Sequence, residues 1–178
     1  MCATLVDRRG SPLARSQAPR DQFVSQTNRI ERSRAPVSAV ILAFNEEHNL
    51  VPCLESLCGW VNNIIVVDSG STDRTAEIAR DYGAQMLVHP FETHNRQWQW
   101  ALRNLPEGAS EWILGLDADQ RVTPELASET CETLESGAEG VDGFYIKRRQ
   151  VFRGRWIRHG GYYPKYLLKL FSRKLPSV

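Results

Sequence analysis

Short apolar runs separated by amphipathic segments recur along the chain from residue 37 onward. The first run, residues 37–44, is almost uninterrupted and contains several β-branched residues, which is typical of a strand buried on both faces of a parallel sheet. Five later runs have a similar apolar character. We therefore predict six strands, at residues 37–44, 64–68, 84–89, 112–117, 143–152 and 166–171.

The segments between these runs place apolar residues on one helical face, which predicts helices over residues 46–57, 72–82, 95–105 and 124–134. Asn45 and Thr123 are the predicted N-caps of the first and last helices, and Gly83 is the predicted C-cap of the second. Alternating strands and helices indicate an α/β fold with a mostly parallel sheet between helices. Residues 1–35 lack apolar periodicity and are predicted to be a flexible basic leader, followed by one domain over residues 36–178.

The composition is that of a single soluble domain and excludes a disordered, collagen-like or disulfide-dense protein. Of the 178 residues, 42% are hydrophobic and 24% are charged. The longest apolar run is too short for a membrane-spanning helix, which needs about 18 residues, and Arg8 and Arg9 leave no visible secretory signal. We therefore predict a cytoplasmic protein. The cysteines lack C-x-x-C spacing, which argues against a zinc site, and Cys53 and Cys58 are expected to be small core residues of one helix.

Charge is distributed unevenly along the chain, although the net charge is only +1. Residues 1–35 contain seven arginines and three acidic residues, and residues 140–178 contain ten basic residues and one acidic residue, Asp142. Basic ends favour an anionic partner, such as a phosphate-bearing ligand, an anionic phospholipid surface or a nucleic acid. The alternative is a flexible leader and a solvated surface, and the charge pattern alone does not decide between them.

Acidic side chains follow two of the predicted strands at the point where each strand ends. Asp68 ends the second strand, and Asp117-Ala118-Asp119 ends the fourth. Such strand ends share one edge of a parallel sheet, where ligands bind. Asp68 can accept hydrogen bonds from a base N–H or a ribose hydroxyl, and the paired carboxylates suit Mg²⁺ or Mn²⁺ bound with a diphosphate. The alternatives are that Asp68 caps the helix that begins near Ser71 and that the D-x-D segment is a solvated acidic turn.

Three segments resemble the sequence blocks of family-2 glycosyltransferases: Val-Ser-Ala-Val-Ile-Leu-Ala-Phe-Asn-Glu-Glu, Ile-Ile-Val-Val-Asp-Ser-Gly-Ser-Thr-Asp and Leu-Asp-Ala-Asp. The resemblance implies the Rossmann-like GT-A fold and transfer of a sugar from a nucleotide-sugar with inversion. Residues 152–164 and 168–171 are similar to the β-1,4-glucosyltransferase branch that builds bacterial lipopolysaccharide or lipooligosaccharide cores, usually from UDP-glucose. The implied partners are a UDP-sugar donor and a glycolipid or saccharide acceptor, and no nucleic acid is expected.

The residues that this resemblance implies at the donor site lie on the predicted strand ends. Asp68 would hold the uridine, Asp117 would face the ribose or the metal, and Asp119 would be the principal ligand of Mn²⁺ or Mg²⁺. The two aspartates of the D-x-D segment are thus the implied catalytic residues. Arg96 would approach the uracil or the diphosphate, or would lie on a solvated helix face. The implied lining of the nucleotide pocket consists of Ala43, Phe44, Asn45, Glu46 and Ala118.

The sequence departs from this branch of the family at several positions. Gln120 follows the D-x-D segment, where an acidic residue is common, and Lys165 and Lys169 stand where Asp and Arg are common. An inverting transfer needs a carboxylate base. No Asp or Glu follows Asp142, which is itself either a substitute base or a loop residue. Because the family places its base and acceptor surface in a C-terminal region, and the chain stops at Val178, we expect a truncated copy with an incomplete acceptor region.

Three functions are compatible with the sequence. The first is a metal-dependent, inverting glycosyltransferase that acts on a glycolipid acceptor. The second is a non-catalytic UDP-sugar-binding fragment or pseudoenzyme, which would bind the donor without transferring its sugar. The third is a nucleic-acid-binding or lipid-binding module, whose affinity would fall steeply with salt and would not depend on Asp117 or Asp119.

Overall fold

The computed structural model describes residues 34–160 and 163–174, so residues 1–33 of the predicted leader lie outside the described part of the chain. None of the helices in these two ranges is long and apolar enough to cross a lipid bilayer. In chain order the elements are β1 (Ala35–Ala43), α1 (Glu47–Glu55), β2 (Val61–Asp68), α2 (Thr75–Asp81), β3 (Gln85–Val88), α3 (His94–Arg103), β4 (Trp112–Asp117), α4 (Pro124–Glu135), β5 (Gly143–Arg148), β6 (Val151–Phe152), β7 (Arg155–Trp156) and β8 (Lys165–Ser172).

Six of the strands form one sheet in the order β3-β2-β1-β4-β8-β5. The strands β3, β2, β1 and β4 are parallel neighbours, whereas β8 lies antiparallel between β4 and β5. Only β8 therefore runs against the others. The mostly parallel α/β sheet predicted from the alternation of apolar runs and amphipathic segments is confirmed.

Alternate side chains of β1 enter two separate cores, one on each face of the sheet. Val37 and Ile41 pack in the first core with Leu54 of α1 and with residues of α2 and α4. Val40 packs on the opposite face with Ala101 of α3. All of these side chains are fully buried, which explains why the first apolar run is almost uninterrupted. Helices thus cover both faces, as the sequence predicted.

Two of the three predicted helix-end residues, Thr123 and Gly83, occupy their predicted positions. Thr123 is the N-cap of α4, and its side chain accepts a hydrogen bond from the Leu126 amide. Gly83 follows α2 with φ of 71°, as expected of a helix-ending glycine. The prediction that Asn45 caps α1 is wrong. The N-cap is Glu46, and Asn45 has a left-handed backbone with φ of 53°, because its side chain bonds to the loop after β2 instead.

The single strand predicted over residues 143–152 is divided in the structure. β5 ends at Arg148, and the chain then forms a separate two-stranded hairpin from β6 and β7. Arg153 and Gly154 have φ of 49° and 73°, so the hairpin reverses through a two-residue turn that is left-handed at both positions. Arginine is not a residue type that signals such a turn. The sequence therefore gives no signal for this reversal.

The two cysteines predicted as core residues of one helix have different environments. Cys53 is buried in α1, whereas Cys58 follows the helix and is exposed, so the prediction is correct only for Cys53. Burial raises the pKa of the Cys53 thiol to about 12, with Asp119 adding a smaller effect in the same direction. The thiol is therefore neutral and shielded at neutral pH.

This difference predicts a selective thiol labelling pattern. At pH 8 an aromatic disulfide reagent should modify Cys58 rapidly and leave Cys53 unmodified while the chain is folded, because the thiolate is the reactive form. Thiol titration should give the same number of fast-reacting groups in Cys53→Ala as in the original protein, and one fewer in Cys58→Ala. A loss of one fast-reacting group in Cys53→Ala would contradict the buried position of this side chain.

Candidate active site

The carboxyl ends of β2, β1 and β4 meet at one edge of the sheet. In the strand register Asp68 lies opposite Ala43, and Asp117 lies opposite Leu42. The Ala118 amide continues this pairing by donating to the Leu42 carbonyl at 3.2 Å. The predicted site residues of three strands are therefore brought together at the edge where open parallel sheets bind ligands.

The loops that follow β1 and β2 hold each other through reciprocal hydrogen bonds. The Asn45 amide donates to Ser71 Oγ at 2.9 Å, and Asn45 Oδ1 accepts from the Thr72 amide at 2.9 Å. The Glu46 amide donates to Thr75 Oγ1 at 2.8 Å. A left-handed residue at position 45 directs its side chain into this network, and asparagine tolerates that conformation better than most residues. The loop is thus fixed before any ligand binds.

Two substitutions separate the contributions of the Asn45 side chain and backbone. Asn45→Ala should lower the free energy of unfolding by about 2 kcal/mol, because it removes the bond to Thr72 and imposes left-handed strain. Asn45→Gly should cost only about 1 kcal/mol, because glycine adopts this conformation without strain. Urea denaturation measures both values. Equal losses in the two variants would show that the backbone conformation contributes nothing.

The residues predicted to line the nucleotide pocket differ in exposure. Ala43 and Ala118 are buried at the strand ends, so their small side chains leave space at this edge and mainly their backbone atoms can contact a ligand. Phe44 is 56% exposed, although it is a large apolar side chain at the ligand-binding edge of the sheet. Glu46 is half-buried, and its Oε2 accepts a hydrogen bond from the side-chain Nδ2 of Asn49 at 2.7 Å. The exposed ring of Phe44 is the part of this segment that is available to stack on a ligand.

Asp68 is buried and shapes the turn that follows β2. Its Oδ2 accepts hydrogen bonds from the amides of Gly70 at 3.2 Å and Ser71 at 3.0 Å, and its Oδ1 accepts from the Ser71 hydroxyl. The helix-capping alternative for Asp68 is wrong, because α2 begins at Thr75 with Arg74 as its N-cap, and these bonds shape the preceding turn instead. A carboxylate oxygen can accept more than one hydrogen bond, so its predicted contact with uridine stays a prediction.

Three side chains from separate parts of the chain converge on Asp117. Gln120 Nε2 donates to Asp117 Oδ2 at 2.6 Å, and Lys169 Nζ lies 3.4 Å from the same oxygen. His94 Nε2 lies 3.3 Å from Asp117 Oδ1 and equally far from the indole nitrogen of Trp98. The Lys169 side chain is only 14% exposed, so water screens its charge weakly. Asp117 is therefore held in position, and its charge is partly balanced.

The contact of Gln120 gives a physical meaning to a departure noted in the sequence. An acidic residue at this position would place a second negative charge against Asp117, whereas the amide of Gln120 supplies a neutral donor. The other end of the amide, Oε1, is buried and has no hydrogen-bond donor within the described ranges. A buried acceptor beside Asp117 suits a hydrogen-bond donor, such as a hydroxyl group of a bound ligand or a water molecule.

Asp119 is exposed at the same strand end, and its carboxylate has no hydrogen bond or ion pair in the described part of the chain. No cluster of three or more His, Cys, Asp or Glu side chains with metal-binding geometry occurs among residues 34–160 and 163–174. Magnesium commonly binds through one or two carboxylates and completes its coordination with water and substrate phosphates. The D-x-D carboxylates therefore fit a divalent cation that is shared with a diphosphate ligand.

Arg96 lies on the exposed side of α3, near its N-terminus. Its guanidinium pairs with Glu92, and its amide donates to Thr93 Oγ1, the N-cap of the helix. This position corresponds to the solvated helix face that the sequence left open as the alternative. Its predicted approach to uracil or diphosphate stays a prediction.

Residues that the sequence analysis did not connect with the site surround a cavity of about 420 Å³ beside Asp117. The cavity lies between α3 and β8, with Trp98 and Lys169 in its wall. A Cβ atom at Gly115 would lie 3.0 Å from the Trp98 ring, so glycine allows the indole to approach β4 closely. Only the insertion of the antiparallel strand β8 next to β4 brings Lys169 here. The N-cap signal of Thr93 could have placed His94 in the first turn of α3.

The fold and this edge of the sheet define an α/β protein with paired carboxylates at the ends of parallel strands. Comparison with known proteins identifies the family. The family model of Glycosyl transferase family 2 matches residues 38–177, and the chain belongs to this family. The resemblance seen in the three sequence blocks is confirmed, and the mostly parallel α/β sheet agrees with the fold class that it implied.

Curated relatives match parts of the chain. The "Lipopolysaccharide core biosynthesis glycosyltransferase LpsC" of Rhizobium meliloti (strain 1021) is 34% identical over 128 residues, which cover 68% of this chain and 45% of the relative. An "Uncharacterized glycosyltransferase" of Rickettsia felis is 36% identical over 93 residues, which cover 52% of this chain and 32% of the relative. The chain thus spans less than half the length of these relatives.

Solved structures also align with the chain over part of its length. The glucosyl-3-phosphoglycerate synthase of M. tuberculosis aligns with a TM-score of 0.48 and 24% identity, covering 62% of this chain and 43% of that chain. TarS of S. aureus, residues 1–349, aligns with a TM-score of 0.45 and 22% identity, covering 56% of this chain and 32% of that chain.

Proposed function

We propose that the protein is a glycosyltransferase that takes a sugar from a UDP-sugar and transfers it, with inversion, to a saccharide or glycolipid acceptor. The observation that carries the proposal is the meeting of Asp68, Asp117 and Asp119 at one edge of the sheet in a chain of this family. Family membership supports the use of a nucleotide-sugar. The carboxylates support a sugar nucleotide as the substrate, because its base and ribose can donate hydrogen bonds and its diphosphate can share a cation.

Each site residue has a proposed role toward the donor. The loop of residues 43–46 and Asp68 bind the uridine, and Asp117 faces the ribose while Gln120 and Lys169 hold its carboxylate. Asp119 holds Mn²⁺ or Mg²⁺, and a bound divalent cation would neutralise negative charge on the departing diphosphate. Arg96 stands near the same edge as a further contact, provided that its pair with Glu92 opens.

The finer features of the reaction rest on sequence similarity. Glucose is the proposed sugar because the C-terminal segments resemble the core β-1,4-glucosyltransferase branch. The name of the Rhizobium relative supports an acceptor in the lipopolysaccharide core. Such acceptors are made on a membrane, so we place the protein in the cytoplasm, in peripheral contact with the inner face of the bacterial membrane. The acid-free basic segment after Asp142 supports this contact.

A second candidate function is the binding of a UDP-sugar without transfer. It is favoured by one observation: the sequence contains no Asp or Glu after Asp142. The Asp142 carbonyl accepts from the Ser172 amide at 2.9 Å, which ties this residue to the end of β8. Residues 143–178 therefore provide no carboxylate base for the acceptor hydroxyl.

One experiment distinguishes these functions. The purified chain is titrated with UDP in the presence of Mn²⁺ by calorimetry, and release of UDP from UDP-glucose is then measured with and without truncated lipopolysaccharide core. Acceptor-dependent release supports the transferase, whereas binding without release supports the second candidate. Absence of UDP binding by a folded chain would reject both.

A further inference from the structure

The β6–β7 hairpin carries a group of cationic and aromatic side chains on elements that do not take part in the donor site. The guanidinium carbons of Arg149 and Arg158 each lie 4.4 Å from the centre of the Trp156 ring. Tyr163 packs edge-on against the same indole, with ring centres 4.9 Å apart. We call Arg149, Trp156 and Arg158 the hairpin cluster. The Ile157 amide donates to the Gln150 carbonyl at 3.0 Å and closes the base of the hairpin.

Two hydrogen-bond donors of the hairpin cluster are buried without an acceptor. Arg149 Nε and Trp156 Nε1 are both shielded from solvent, and neither has an acceptor in the part of the chain that the structure describes. Both atoms can only donate. Buried polar groups in folded proteins are nearly always paired, so these two donors indicate that an acceptor from outside the described residues belongs here.

The surrounding charge specifies what kind of acceptor this is. Residues 143–174 contain ten Lys and Arg side chains and no Asp or Glu, so the neighbouring sequence supplies no carboxylate. Hydrogen bonds at Glu125 and Thr123 lower the pKa of Glu125 at the start of α4, and the charge of Arg149 adds a smaller effect in the same direction. Glu125 nevertheless leaves Arg149 Nε unpaired. An anionic group is therefore the acceptor that satisfies both the donors and the charge.

We propose that the hairpin cluster is a binding site for a phosphate group. Arg149 and Arg158 supply guanidinium donors, which match phosphate oxygens in a bidentate geometry, and Trp156 adds its indole N–H. The phosphate belongs either to a phospholipid headgroup or to a phosphorylated saccharide. The exposed side chains of Val151 and Phe152 on the same hairpin suit a position at a lipid surface. The site does not depend on the proposed sugar transfer, because it uses none of the donor-site residues.

The indole resonances of the ¹⁵N-labelled full chain test the proposal. Trp156→Phe identifies the Trp156 signal among the five tryptophans. Titration with inorganic phosphate should shift this signal in a saturable manner, whereas sodium chloride of equal ionic strength should not. Arg149→Gln should weaken phosphate binding at least tenfold. Arg80→Gln removes an equal charge from an exposed position of α2 and should leave the binding unchanged.

Two further arms identify the source of the phosphate. The phosphate is that of a lipid headgroup if the protein floats with phosphatidylglycerol vesicles but not with phosphatidylcholine vesicles, and if Arg149→Gln abolishes this flotation. Saturation by glucose 6-phosphate without recovery on vesicles assigns a soluble or saccharide phosphate. A non-saturating shift that chloride reproduces, or equal weakening by Arg80→Gln, overturns the proposal. Unchanged signals of the other four tryptophans show that Arg149→Gln is folded, and unchanged UDP binding keeps this result separate from that of the donor site.

Discussion

Replacing Asp119 by asparagine is expected to weaken the binding of UDP in the presence of Mn²⁺ by ~100-fold, equivalent to about 2.7 kcal/mol. The Asp119 carboxylate is exposed at the ligand-binding edge and is engaged by no ion pair in the described ranges, so its full charge is available to a cation. Asparagine has nearly the same shape but no charge. The fold should therefore be retained while the cation is lost, together with the affinity that it gives to the diphosphate.

Calorimetric titration with UDP, with and without Mn²⁺, measures this effect. Asp81→Asn is the matched control, because it removes the same charge from an exposed position at the end of α2. Without Mn²⁺, Asp119→Asn and the original chain should bind UDP equally weakly. Equal Mn²⁺-dependent affinity in Asp119→Asn and Asp81→Asn would refute the proposed role of Asp119 as the metal ligand.

Asp117 is expected to respond differently from Asp119, because it is already partnered. Lys169 and Gln120 contact its Oδ2 atom, so part of its charge is balanced within the protein. Removing the carboxylate leaves the largely buried ammonium of Lys169 without its partner, which carries a cost in stability as well as in binding. The two aspartates of the D-x-D segment are thus chemically distinct, although the sequence presents them as equivalent.

The parallel part of the fold could be predicted because its signals are local. The run that forms β1 is apolar on both faces because both faces are buried, and Thr123 and Pro124 mark the start of α4 through their own backbone chemistry. The strand ends then follow from the rule that parallel strands share a carboxyl edge. For this reason Asp68 and Asp117 could be placed together before the structure was known.

The parts that could not be predicted depend on long-range contacts. The sequence predicts Asn45 as a helix cap because capping is the common role of asparagine before a helix, but the loop after β2 competes for its side chain. Lys169 reaches Asp117 only because β8 inserts antiparallel beside β4. The hairpin of β6 and β7 turns at Arg153, a residue type that gives no turn signal. In each case a tertiary contact outweighs the local preference.

The largest expected loss of stability follows from truncating Phe144 on β5. Its side chain is 1% exposed, lies opposite Leu170 of β8 and packs on Trp112 of β4 with ring centres 5.4 Å apart. Phe144→Ala should lower the free energy of unfolding by about 3–5 kcal/mol, because it removes buried apolar area and leaves a cavity. Urea denaturation followed by circular dichroism measures the loss.

Tyr145→Ala is the matched control for this prediction, since Tyr145 is the next residue of the same strand and is 37% exposed. It should cost less than about 1.5 kcal/mol, because little buried area is lost. A large difference between the two variants is expected only if β5 and β8 share one core with the parallel strands. If Phe144→Ala cost no more than Tyr145→Ala, the acid-free C-terminal segment would be only loosely attached, and the contact of Lys169 with Asp117 would lose its structural basis.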